Sequence, residues 1–216
     1  MLHEKLQVVK KEIVEYGVLI ETMVRDTMQG LLKKDATLLE KVLTEYEPKA
    51  NATEIDIDEH CTALIAQFQP KARDLRAVLM ILGMNKDLER MGDHCVNIAQ
   101  SAQYLIERPA IKPYTDLTNM GEIVSEMLQA AINALVYEDT TSCKAVCERD
   151  DAVDELRTKI VRELISYMTN DSQTVERALH ILRISGNLER IADLTTNLAE
   201  EVMYMANGHV MKHHHE

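Results

Sequence analysis

The chain has 216 residues, 46% of them apolar, and a formal net charge of −12. That length suits one large domain or two small ones, with enough apolar side chain for a sizeable core. So acidic a surface repels phosphate backbones and anionic lipid, which argues against direct binding of nucleic acid or membrane and for a multivalent cation or a basic patch on another protein.

Only four prolines and seven glycines occur, in a chain dominated by Leu, Met, Ala, Ile, Glu, Lys and Arg. These residues lose little rotamer freedom in a helix, so the expected fold is all-α. The first helix runs to Lys33-Lys34-Asp35, where Asp35 can stop one helix and cap the next. The second leads to Gln69-Pro70, with a kink expected near Pro48. Pro70 is read as the first position of a third helix. The run Arg108 to Pro113 is the strongest break and falls near the middle. The second half is broken at Glu138–Thr141 and Thr169–Ser172, with Asp139 and Asn170 or Asp171 as N-caps.

The expected organisation is a three-helix bundle over residues 1–108, a second over 114–208, and a tail, 209–216. The tail's His213, His214 and His215 are set aside, since adjacent histidines bind metals adventitiously. Cys61, Cys95, Cys143 and Cys147 form no C-x-x-C pair, and the first two fall on apolar stripes as reduced core thiols. With no signal peptide and no apolar run long enough to span a membrane, a cytoplasmic location is expected.

The two halves repeat one another. Leu75–Gln100 aligns without a gap on Val175–Glu200; Leu79, Ile81, Leu82, Leu88, Glu89, Arg90, Asp93, Asn97 and Ala99 recur one hundred positions later. The first helices align at an offset of 104, pairing Met23 with Met127, Leu31 with Leu135 and Asp35 with Asp139. The first repeat therefore carries four extra residues, about one turn, near Pro48. A repeat this long is a duplicated bundle rather than a solenoid unit. A helix of 35 residues would be roughly 50 Å long, so elongated bundles are expected.

On the third helix Ile81, Met84, Leu88, Met91, Cys95 and Ile98 form a bundle seam. Glu89, Asp93 and Asn97 lie at i, i+4 and i+8, a line off that seam; Glu189, Asp193 and Asn197 do the same. Like charges one turn apart repel. A solvated face with Arg90 and Arg190 nearby would explain one such pair, but the spacing occurs in both halves. The preceding helices carry further pairs: Glu54 with Asp58, and Asp150 with Asp154. Acids from antiparallel neighbours would converge into oxygen-rich patches suited to hard or borderline cations.

The segments NATEIDIDEHC at 51–61 and AQFQPKARDLR at 66–76, with ERMGD at 89–93 and ERIAD at 189–193, resemble the PhoU family of phosphate-uptake regulators over nearly the whole chain. The resemblance implies a tandem duplication of three-helix bundles, one metal site per bundle, and a non-enzymatic negative regulator. Its first site would use Glu54, Asp58, Glu89 and Asp93; its second Asp150, Asp154, Glu189 and Asp193. Iron is the leading metal, with zinc, manganese or magnesium as alternatives. The implied partners are the ATP-binding subunit of a phosphate ABC transporter and its sensor histidine kinase, with membrane association only through them, and a homodimer is compatible. Thr158 where the repeat would place Asp58's counterpart, and Asn187 for Asp87, depart from a perfect repeat.

Two rivals stand beside that reading. A ferritin-like di-iron carboxylate protein needs Glu-x-x-His on two helices facing the bundle interior, and no glutamate here has histidine three residues on. His60 and His94 adjoin the acid motifs but turn about 100° away per residue step. A metal-free helical adaptor explains helicity and duplication, not the repeated acid spacing.

Overall fold

The computed structural model describes residues 1–208; the tail, with His213, His214 and His215, lies outside the described residues. The first repeat comprises α1 (Leu2–Lys33), α2 (Ala36–Lys41), a π turn (Val42–Tyr46), α3 (Glu47–Phe68) and α4 (Ala72–Ile106). The second comprises α5 (Thr115–Tyr137), α6 (Thr140–Glu148), α7 (Asp150–Asn170), a 3₁₀ turn (Ser172–Thr174) and α8 (Val175–Asn207). The fold is all-α, with no strand among the described residues.

The same corner ends the first helix of each repeat. Lys34 (φ 55°) and Glu138 (φ 50°) adopt the left-handed conformation. Asp35 then accepts from the backbone N–H groups of Thr37 (3.0 Å) and Leu38 (3.2 Å). Asp139 does so from Thr141 (3.0 Å) and Ser142 (3.4 Å). Each aspartate satisfies donors that the first turn of the new helix would otherwise leave unpaired. Asp171, rather than Asn170, caps the 3₁₀ turn through Gln173 N–H at 2.9 Å.

Three details differ from the sequence expectation. Pro70 lies in the connection after Gln69, which is left-handed (φ 45°), and α4 starts at Ala72. Pro70 therefore ends α3 instead of opening α4. The disturbance expected near Pro48 appears just before it, as the π turn. Pro48 has no N–H to return to the carbonyl four residues back, and a π turn is a common way to take up extra residues within a helix. The second half has no single second helix: the chain bends at Arg149 (φ −85°, ψ −15°) between α6 and α7. Asp150 and Asp151 then fill the first turn of α7, where the helix dipole favours acids.

The two repeats pack closely against one another. The most extensive helix contact is between α4 and α8, which run antiparallel. Tyr104 stacks on His180 with ring centroids 3.9 Å apart, Asp87 hydrogen-bonds Asn197, Gly83 lies under the Glu201 carboxyl, and the Arg76 guanidinium lies 5.8 Å from the Tyr204 ring centroid.

The first helices cross reciprocally. A Cβ on Gly17 would meet Ile132 at 2.9 Å, and one on Gly121 would meet Met28 at 2.9 Å. Gly17 aligns with Gly121, and Met28 with Ile132, so one contact is made twice about an approximate twofold axis. The buried apolar residues of both repeats form one contiguous core.

Candidate functional site: two unequal acid clusters

The i, i+4 spacing that keeps Glu89 and Asp93 off the apolar seam leaves Glu89 half-buried and Asp93 exposed on α4. α3 packs against α4 and brings Glu54 to the same place. Burial, the largest cause, raises the Glu89 carboxyl above the ordinary range. Asp93 and Glu54 raise it further, and Arg90 opposes them. Asp58, one turn further along α3, is exposed, and its charge is felt at Cys61.

Two neutral groups stand in the first cluster. Tyr16 of α1 is 1% exposed, and its hydroxyl has no hydrogen-bond partner among protein atoms. Burial raises its pKa most, followed by Glu89, Glu54 and Asp93, so the phenol faces all three acids. Asn85 of α4 is fully buried. Its Nδ2 donates to the Glu54 backbone carbonyl at 2.9 Å, and its Oδ1 has no partner. A buried polar atom without a partner is costly, and two of them belong to residues next to this acid patch. Beside Tyr16 a groove of about 340 Å³ runs between α1 and α3, lined by Glu12, Asp56 and His60 among others.

The second cluster is assembled differently. Burial again leads in raising Glu189, and Asp193 and Asp154 act in the same direction; Arg157 and Arg190 lower it. Arg157 of α7 reaches across to Glu189, Nη1 to Oε1 at 3.1 Å. Asp150 sits a turn earlier, where it and Glu200 act on Cys147. The repeat counterpart of Tyr16 is Met120, which is buried. That of Asn85 is Ser185, whose hydroxyl is already engaged, donating to Leu182 O at 3.0 Å. Asn187, in the place of Asp87, accepts through Oδ1 from His94 Nδ1–H at 2.9 Å and donates Nδ2–H to Arg183 O at 2.7 Å.

Of the eight acids singled out from the sequence, Glu54, Glu89 and Asp93 are thus brought together in the first repeat, and Asp154, Glu189 and Asp193 in the second. Asp58 and Asp150 stand to one side. As the side chains are placed, no three His, Cys, Asp or Glu groups among the described residues close on a single point.

The donors of the first cluster nonetheless fit a hard or borderline cation: carboxylate oxygens, a phenol and an amide oxygen, with two of these atoms unsatisfied. Tyr16, Asn85 and Arg157 escaped the sequence reading. Part of the signal was in the alignment, where Tyr16 faces Met120 and Asn85 faces Ser185; that Glu54 faces Arg157 follows only from the buried stripes of α3 and α7.

A duplicated all-helical fold with acid pairs at matched positions of α4 and α8 defines the class: a tandem-repeat helical protein. The PhoU domain family matches residues 13–102 and again 117–202, and the chain belongs to the PhoU family. A phosphate-specific transport system accessory protein PhoU homolog of Aquifex aeolicus is 36% identical over 99% of this chain and 96% of its own length. A homolog of the same description from Deinococcus radiodurans is 37% identical over 88% of each. Among solved structures, PhoU from Pseudomonas aeruginosa superimposes with a TM-score of 0.93 at 32% identity, covering 97% of this chain and all of that one. The phosphate transport system regulatory protein PhoU from Streptococcus pneumoniae gives 0.90 at 25% identity, covering 98% of this chain and all of that one.

Proposed function

We propose that this chain is a non-enzymatic regulator of phosphate uptake that binds a metal ion at its first acid cluster and acts in the cytoplasm. The observation that carries the reading is the match of both repeats, over nearly full length, to proteins described as accessory or regulatory to phosphate transport. No helix among the described residues is long and apolar enough to cross a membrane. The partners we propose are the ATP-binding subunit of a phosphate transporter and a sensor histidine kinase, with membrane association only through them.

Glu54, Glu89 and Asp93 would hold the metal, with Tyr16 and Asn85 supplying neutral oxygens. Iron leads the candidates; zinc, manganese and magnesium suit the same donors. A bound cation reverses the local sign of an acidic surface and gives it affinity for anionic groups. The acids remain outside the apolar seam, so their charge can be read by a partner without disturbing the core.

The test is physiological. Cells lacking the chain, grown in ample phosphate, should take up radiolabelled phosphate faster and express starvation genes. The wild-type chain should reverse both; Glu89→Ala with Asp93→Ala should reverse them poorly while remaining folded. Normal uptake and silent starvation genes in cells lacking the chain would sink the regulatory reading. Full rescue by the double variant would sink the role of the metal cluster.

A further inference from the structure

We propose that the second acid cluster is closed by a cation of the chain's own, the Arg157 guanidinium, and takes up no metal ion, so that the two repeats are functionally unequal. The inference rests on the reading of the first cluster as a metal site and assigns that role to the first repeat alone.

Four differences at matched positions carry it, and each removes something a metal needs. Matched on the buried stripe, where Ala50, Ile57 and Cys61 of α3 correspond to Val153, Ile160 and Leu164 of α7, Arg157 stands where the first repeat has the carboxylate of Glu54. Its Nη1 lies 3.1 Å from Glu189 Oε1, so a fixed positive charge occupies the face of the carboxylate that an incoming cation would use. A divalent ion there would have to displace the guanidinium or sit beside a like charge. Met120 replaces Tyr16 and offers a thioether in place of a phenol. Ser185 replaces Asn85, with its hydroxyl already donating to the backbone at 3.0 Å. In the same register Val161, and not Thr158 as the sequence alone suggested, stands where the first repeat has Asp58, removing a second carboxylate from this helix.

The two sites also differ in what they leave unsatisfied. The first holds two buried oxygens without partners, Tyr16 Oη and Asn85 Oδ1. At the second, the carboxylate most buried in the cluster already has an ion pair. The outer face of α7 mixes signs as well, with Lys159 and Arg162 among Asp151, Asp154 and Glu155. Duplication supplied two acid pairs; here one is neutralised from within.

Titration of the chelator-stripped full chain with Mn²⁺, followed by calorimetry and by the electron paramagnetic resonance of free Mn²⁺, tests this. The histidines of the tail are common to every variant and cancel in the comparison. Wild type should show one carboxylate-dependent class of sites. Glu89→Ala/Asp93→Ala should lose it, and Glu189→Ala/Asp193→Ala should keep it. Arg157→Ile, which removes the guanidinium, should gain a second class that disappears when Glu189→Ala and Asp193→Ala are added. Its affinity should exceed any residual wild-type binding there by at least about tenfold. Helical circular dichroism of each metal-free variant checks the fold. Reduced uptake by Glu189→Ala/Asp193→Ala, or an Arg157→Ile chain that gains no Mn²⁺, overturns the proposal. A wild-type chain that binds none, together with an Arg157→Ile chain that does, overturns the first-cluster reading and leaves this one standing.

Discussion

At the scale of single residues the most consequential group outside the two clusters is Glu201. It lies against Gly83 on the α4–α8 seam, and its Oε2 is buried without a partner. Burial, aided by the nearby Asp87 charge, pushes its pKa up to about 8 from an ordinary 4.5. Asp87 is itself raised, by burial first, against the lowering effect of Arg90 and Asn197. Glu201 is therefore neutral in the fold at neutral pH, while in the unfolded chain it is ionised. The native state then binds the extra proton, so this group's contribution is full below about pH 4.5 and is lost as pH rises through about 8. Glu201→Gln should remove that slope. Denaturant melts from pH 5 to 9 should show the variant gaining on wild type with rising pH, by up to about 3 kcal/mol near neutrality. Parallel stability curves for the two proteins would show that Glu201 is ionised and solvated in the fold.

At the scale of elements, the corners between the first and second helices were the most legible part of the sequence. Lys33-Lys34-Asp35 and Glu138-Asp139 announce a cap because an aspartate carboxylate has one short-range way to satisfy a helix start, and both do so. The π turn and the bend at Arg149 were less legible. The alignment reveals four extra residues near Pro48, but whether a helix absorbs an insertion as a bulge or breaks depends on the surface it packs against. The acid clusters were legible to the same extent. The i, i+4 pairs could be read along one helix, whereas Tyr16 arrives from α1 and Arg157 from a different turn of α7, placed by packing. The corner makes its own prediction. Lys34 occupies a left-handed conformation that costs a side chain with a Cβ roughly 1 kcal/mol, and Asp35 supplies the cap. Lys34→Gly should raise thermal stability by up to about 1 kcal/mol, and Asp35→Ala should lower it by about the same amount. A destabilised Lys34→Gly chain would mean that the lysine side chain contributes more than its backbone strain removes.

At the scale of the whole molecule, composition and duplication gave the helical class and the repeat, while the close packing of the repeats was hidden. The helical period showed broad apolar faces on α4 and α8, but periodicity does not say which partner covers them. The structure lays the two helices along each other for most of their length, inside one continuous core. The repeats should therefore not be independent folding units. The isolated segment 1–113 would expose the face of α4 that α8 covers, and apolar surface of that extent drives self-association. We expect it to dimerise or to lose cooperative thermal unfolding, whereas the full chain melts in one transition by both circular dichroism and calorimetry. A monomeric 1–113 with a sharp transition of its own would show that the seam joins two finished domains.

The reciprocal glycine crossing has a further consequence, for descent. An ancestor with one repeat could have made the same contact only with a second copy of itself. Gly17 would have met the partner's equivalent of Ile132 at one end of the twofold and repeated the contact at the other. Every substitution in such a symmetric pair acts twice. Once the two copies became one polypeptide, each end was written separately. Met28 and Ile132 could then diverge while filling equivalent hollows, and Glu54 and Arg157 could diverge even in the sign of their charge. Fusion turned a symmetry of structure into a permission for asymmetry of role.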